Sequence, residues 1–189
     1  MPAIERQIRI AAPVDAVWRV LTDLPRQPLW MRDLRSVEIL TEGPVRVGTV
    51  AIGEVRMLGL SQRDPIEVTA FDPPTMYAIA HLGAFVGTGE FRLFPMPGGA
   101  TQVRWREKLR PTAGAFPLVE RLAGLPAAGP AVKGAATLFA SVSDPLFAAV
   151  FALVFREDLR RLRDLVEAEA GPGRQAPFPG HDGGRTARN

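Results

Sequence analysis

The sequence predicts an α+β fold: a curved, seven-stranded antiparallel sheet wrapped around a long helix near the C-terminus. Three observations predict it. Seven stretches of strand-like alternation lie between residues 4 and 109, with turn chemistry between them and two short helical segments after the first. No helix separates the later strands, which argues for an antiparallel meander and against parallel βαβ units. At residues 145–170 the period becomes helical, with Phe155, Leu159, Leu162 and Val166 at steps of four, three and four.

Taken in order, Ile4, Ile8 and Ile10 alternate with Glu5, Gln7 and Arg9, as in a half-buried strand. Val14, Val17, Trp18 and Leu21 then fall at i, i+3, i+4 and i+7, an amphipathic helix with one core face. Pro25 and Pro28 break it, and Leu29, Trp30 and Met31 form a second helical turn that plants Trp30 inward. Strands follow at 36–40, 47–58 (loosened by Gly48 and Gly53), 63–71, 76–82, 85–94 (through Gly87 and Gly89) and 101–109. A glycine within a strand admits a bulge or sharp curvature. In the last strand Val103, Trp105, Glu107 and Leu109 share one face, and Arg104, Arg106, Lys108 and Arg110 the other.

Asp144 before Pro145 is a helix-start signal for the late helix, and Gly171, Pro172 and Gly173 stop it. Its first part, 146–155, is apolar on all sides and must be covered, by a lid, a homodimer contact or a shallow membrane contact. Residues 116–122 and 132–140 read as short helices kept short by Gly124, Pro126, Gly129, Pro130 and Gly134, so 112–144 reads as an inserted helical lid. The domain then spans 1–170, and 171–189, with too little apolar surface to offset ordering, reads as a disordered tail.

At 189 residues and 47% hydrophobic content the chain suffices for one substantial core. Net charge is only +3, and Arg174, Arg185 and Arg188 in the tail contribute to it, so the balance gives no reason to expect nucleic acid. The absence of cysteine excludes disulfides, thiolate nucleophiles and Cys-based metal sites. Two histidines, one of them in the tail, do not make a histidine metal cluster, and no cofactor is implied. The first residues enter strand alternation without an apolar signal core, and Ser141, Ser143, Asp144 and Pro145 interrupt the longest apolar stretch. A soluble cytoplasmic protein is expected.

The order β-α-α-β6-α, with "IRIAAPVDAVWRVLTDLPRQPLWM", "VRVGTV", "FDPPTMYAI" and "GGATQVRW", resembles the START-like polyketide cyclase/dehydrase superfamily (SRPBCC), whose fold is called the helix grip. The resemblance covers residues 3–110 and the late helix. It implies a sheet curled around the terminal helix and an apolar cavity that binds lipids, polyketides or other hydrophobic small molecules. Some relatives are cyclases or dehydrases; others only bind and carry. The long segment at 112–144 departs from the family pattern.

Strand parity and helix face then place Trp30, Met57, Tyr77, Ile79, His81, Phe91, Trp105 and Glu107, with Phe147 and Phe151, on the cavity wall as ligand-binding residues. A bulge at Gly53 or Gly89 would reverse Met57 or Phe91. His81 and Glu107 are the catalytic candidates. His81 shares a strand face with Tyr77, the side chains about 13 to 14 Å apart along the strand, and an imidazole titrates near neutral pH; alternatively it is a structural histidine near a strand end. Glu107 on an apolar face is a carboxylate with a pKa pushed upward; alternatively it pairs with an arginine at the strand's wet end. The basic row from Arg104 to Arg110 is read as a solvated outer face with Glu54, Arg56, Glu90 and Arg92, since no aromatic residue interleaves it. Gly87-Thr88-Gly89 is followed by strand, so it is no phosphate loop. The leading function is binding of a hydrophobic small molecule, and the alternative is a cyclase/dehydrase-type enzyme with His81 and Glu107 as proton donors and acceptors.

Overall fold

A computed structural model describes residues 3–57, 60–112 and 133–171, with the side chains at 57, 60, 111 and 133–150 excluded. The expected helix at 116–122, the tail from 172 onward and the side chains of Met57 and Phe147 lie outside the described residues.

Strands β1 (Ile4–Ile10), β2 (Leu34–Ile39), β3 (Val50–Met57), β4 (Leu60–Asp72), β5 (Met76–Leu82), β6 (Phe85–Met96) and β7 (Ala100–Pro111) form one sheet in the order β1-β7-β6-β5-β4-β3-β2. All six pairings are antiparallel. From β2 to β7 each strand pairs with the next in sequence, as tight turns demand, and β1 closes against β7. The alternation of β7 survives intact: Val103, Trp105 and Glu107 are buried while Arg104, Arg106, Lys108 and Arg110 are exposed. Register shifts fall between Leu34 and Ser36 and between Val68 and Ala70. Gly53 and Gly89 pair regularly, with Asp64 and Glu107, so parity runs unbroken through β3 and β6. Gly48 is not in a strand: it holds φ +83° in a turn, so β3 begins at Val50 rather than at 47.

On the outer face Glu90 pairs with Arg92 at 2.7 Å and Arg104 with Glu5 at 3.6 Å. One exposed aromatic ring, Phe94, belongs to this face, with the Arg104 guanidinium 5.2 Å from its centre.

Helix α1 (Val14–Thr22) buries Val17, Trp18, Val20 and Leu21. A 3₁₀ helix (Leu24–Leu29) follows, holding both prolines, and Trp30 comes just after it, fully buried. Helix α2 (Lys133–Ala170) is one continuous element of 38 residues. The start expected at Asp144 and Pro145 is therefore corrected, while residues 113–132 of the expected insertion lie outside the described residues. A proline inside a helix removes one hydrogen bond and costs about 3 kcal/mol, but a formed helix adds a bond at each other residue. Ala135, Ala136, Leu138, Ala140, Leu146, Ala148 and Ala149 are strong helix formers on both sides of it.

The second half of α2 lies against the inward face of the sheet, with Phe151, Phe155, Leu159, Leu162 and Val166 buried. Polar contacts fix its position. Arg6 Nε donates to the Ala152 carbonyl at 3.3 Å, Ala11 N–H to Glu167 Oε1 at 2.7 Å, and Arg26 pairs with Glu169. Among the described residues no helix is long and apolar enough to cross a membrane.

Candidate functional site

Between the sheet and α2 lies a cavity of about 130 Å³, lined mainly by apolar side chains. One wall is a cross-strand aromatic row: Tyr77 on β5 is opposite Phe91 on β6, which is opposite Trp105 on β7. Phe91 and Trp105 stack at 4.8 Å between ring centroids, and Tyr77 and Phe91 at 6.3 Å. From α2, Phe155 meets Trp105 at 4.2 Å, and Phe151 meets Phe85 at 5.9 Å. Such offset and tilted arrangements suit the ring quadrupoles.

The next two rows hold the polar cluster. Ile79, Gly89 and Glu107 align across β5, β6 and β7, as do His81, Gly87 and Leu109. His81 and Glu107 are thus two strands apart, about 10 Å at the backbone. The glycines between them leave a trough that both side chains fill, and His81 Nε2 comes within 3.6 Å of Glu107 Oε2. A Cβ at Gly89 would collide with the Glu107 carboxylate, and one at Gly87 with the Lys108 backbone carbonyl. On its other side His81 Nδ1 hydrogen-bonds Asp64 Oδ2 at 2.7 Å, and Trp105 Nε1 donates to Glu107 Oε1 at 2.8 Å.

Burial by itself is the largest influence on His81 and pushes its pKa down. The hydrogen bond to Asp64 and the close approach of Glu107, followed by the charges of both, outweigh it and raise the pKa to about 10. At neutral pH the ring is therefore an imidazolium clamped between two carboxyl groups. Burial raises the Tyr77 hydroxyl, an effect opposed by Gln27 and reinforced by the charge of Glu107. Asp158 on α2 is raised to about 7, first by burial; the Arg32 N–H that it accepts at 3.1 Å acts the other way, and the charge of Asp33 adds to the rise. Asp33 is raised too, chiefly by burial.

Among the described residues, several buried polar atoms have no hydrogen-bond partner: His81 Nε2, Glu107 Oε2, Asp64 Oδ1, the Tyr77 hydroxyl and Trp30 Nε1. The first four belong to residues that line the cavity. Glu107 is 3% exposed, so the reading that placed it at a wet strand end beside an arginine is corrected: its partners are an indole and an imidazole.

Tyr77, Ile79, His81, Phe91, Trp105, Glu107 and Phe151 all line the cavity. Trp30 does not; it stands behind the aromatic row, edge-on to Phe91 and Trp105, each at 6.2 Å. On β3 the residues preceding Met57 at the same parity, Gly53 and Val55, line it. Sequence reasoning missed Asp64, Asp33 and Asp158. Asp64 had a signal, since it shares parity with Ile66 and Val68, both buried. Asp158 sits at helical spacing among Phe151, Phe155 and Leu162. Asp33 precedes β2 and carried no periodic signal.

Among solved structures, the chain is similar to the Zhui aromatase/cyclase from Streptomyces sp. R1128, with a TM-score of 0.70, 23% identity, and coverage of 92% of this chain and 99% of that one. A protein from Thermus thermophilus aligns with a TM-score of 0.65 and 17% identity, over 90% of this chain and 100% of that one. A START superfamily protein from Mycobacterium smegmatis aligns at 0.52 and 17%, over 84% of this chain and 98% of that one. At these identities the likeness is one of fold: the helix grip. Sequence comparison with curated proteins gave no match. The family model described as "Polyketide cyclase / dehydrase and lipid transport" matches residues 1–167, and the chain belongs to that family.

Proposed function

We propose that the protein binds a hydrophobic small molecule in the cavity between sheet and α2, with a carbonyl or hydroxyl oxygen of the ligand seated between His81 and Glu107. One observation carries this reading. His81 Nε2 and Glu107 Oε2 face each other at 3.6 Å, both buried and both without a hydrogen bond, on the wall of an otherwise apolar cavity. That separation is beyond hydrogen-bonding range, and a buried polar atom left unpaired costs about 1–3 kcal/mol. A ligand hydroxyl satisfies both atoms, accepting from the imidazolium and donating to the carboxylate. The family description and the fold shared with an aromatase/cyclase agree with a hydrophobic ligand.

The same pair supports a second reading, an enzyme of cyclase or dehydrase type. An imidazolium beside a ligand carbonyl donates a proton to its oxygen, while the facing carboxylate takes the proton from the adjacent carbon. Such chemistry converts a ketone to its enol, the step that precedes ring closure or loss of water.

The first test is native mass spectrometry of the purified chain followed by denaturing extraction, then calorimetric titration with naphthalene and 2-naphthol. Binding predicts that 2-naphthol binds roughly tenfold more tightly than naphthalene, and that His81→Leu removes the difference. Equal binding of the two, or none, rejects the seat between His81 and Glu107. The enzyme reading predicts instead that Glu107→Gln abolishes turnover of an enolisable polyketone while the ligand is still bound.

A further inference from the structure

The hydrophobic-ligand reading leaves most of the cavity's charge unused, and the inference here rests on that reading. Asp33, Asp64, Glu107 and Asp158 all line the cavity, whereas His81 is the only basic side chain among its described lining residues. His81 is already engaged by Asp64 at 2.7 Å and faces Glu107 at 3.6 Å. Asp33 and Asp158 have no such counterpart within the cavity. Asp158 is 1% exposed, and its hydrogen bond is from the Arg32 backbone N–H. The Arg32 and Arg161 side chains are exposed, and Arg161 pairs with Glu157 at 3.6 Å on the outer side of α2.

A second, independent observation points to a missing ligand group. Glu107, only 3% exposed, leaves Oε2 without a partner, and Asp64 leaves Oδ1 without one. His81 Nε2 and the Tyr77 hydroxyl are the unpaired groups on this wall that can donate, and a ligand without a donor of its own would leave the Asp64 oxygen buried unsatisfied. An anionic headgroup would add a further negative charge to a site of low polarizability.

We propose that the cavity selects hydrophobic ligands that carry a protonated amine, with the ammonium group held by Asp33 and Asp158 between the start of β2 and α2. The chemistry is that of an aryl-alkyl amine. Three donors on a compact cation match carboxylate oxygens that face no cation inside the cavity, the charges of Arg32 and Arg161 reaching Asp158 only from exposed side chains, while the aromatic row receives the apolar body. Fatty-acid and phosphate-bearing molecules are selected against on the same grounds.

The test is calorimetric titration of the full chain at pH 7.5 with three probes of one shape: 2-(2-naphthyl)ethylamine, 2-(2-naphthyl)ethanol and 2-naphthylacetate. The amine is expected to bind at least tenfold more tightly than the alcohol, and the acetate most weakly. Asp33→Asn and Asp158→Asn should each lower the amine-to-alcohol ratio. Because the wild-type ratio decides the matter, a variant that fails to fold does not. Equal binding of amine and alcohol, or tighter binding of the acetate, overturns selection for a cation and leaves the hydrophobic-ligand reading standing. Failure of all three to bind overturns both.

Discussion

Single residues set the chemistry of this cavity through space as much as through charge. Gly89 lies directly across from Glu107, and its missing side chain is the room that the carboxylate occupies. Gly89→Ala is therefore expected to displace Glu107 from the Trp105 indole and to cost about 1–3 kcal/mol, measured by urea denaturation. Titration gives a further prediction. Asp158 holds its proton up to about pH 7 in the folded state, but an unfolded carboxyl releases it near pH 4. The contribution of this group to stability thus falls as pH rises from about 4 to about 7. His81, raised to about 10, contributes stability that is complete below the ordinary imidazole range near 6.5 and is lost as pH climbs toward 10. Both slopes run the same way, so the urea midpoint should be lower at pH 9 than at pH 6. Asp158→Asn should flatten the acid part of the profile, and His81→Asn the alkaline part. A midpoint that rises between pH 6 and pH 9 would contradict both assignments.

At the scale of elements, α2 and β7 carry most of the site. The buried stripe of α2 runs through Phe151, Phe155, Leu159, Leu162 and Val166, while Leu153 points outward at 66% exposure. Leu162→Ala should destabilise by about 2–5 kcal/mol, through lost burial and the cavity left behind. Leu153→Ser should change stability by less than about 0.5 kcal/mol. Chemical denaturation of the two variants checks both numbers, and a large effect of Leu153→Ser would show that this face of α2 is covered. β7 presents Trp105 and Glu107 to the cavity because they are two residues apart on one face, and Trp105 also fixes the carboxylate through its indole N–H.

For the whole molecule, curvature brings β4, β5 and β7 toward one helix, so that Asp64, His81 and Glu107, far apart in sequence, share a single buried polar cluster. A ligand that binds this arrangement and not the unfolded chain stabilises it. At a hundredfold excess over its dissociation constant a naphthyl ligand should add about 2.7 kcal/mol. A denaturation midpoint unmoved by a ligand shown calorimetrically to bind would mean that the unfolded chain binds it as well as the folded one does, against a seat that only the fold creates.

Much of this was legible in the residues themselves. Strand alternation at 76–82 and 101–109 and the helical steps from Phe155 to Val166 reflect burial on one face. That physics is local, and it leaves its period in the sequence. The same parity by itself puts Tyr77, His81, Trp105 and Glu107 on the inward side. Tertiary structure decided the rest. It carried α2 through Pro145, since propagation of a formed helix outweighs one lost bond. It set Trp30 behind the aromatic row rather than on the cavity wall. It also joined Asp33, Asp64 and Asp158 to His81 and Glu107, because contacts between strands and a distant helix depend on register and sheet curvature, which no single stretch of sequence encodes.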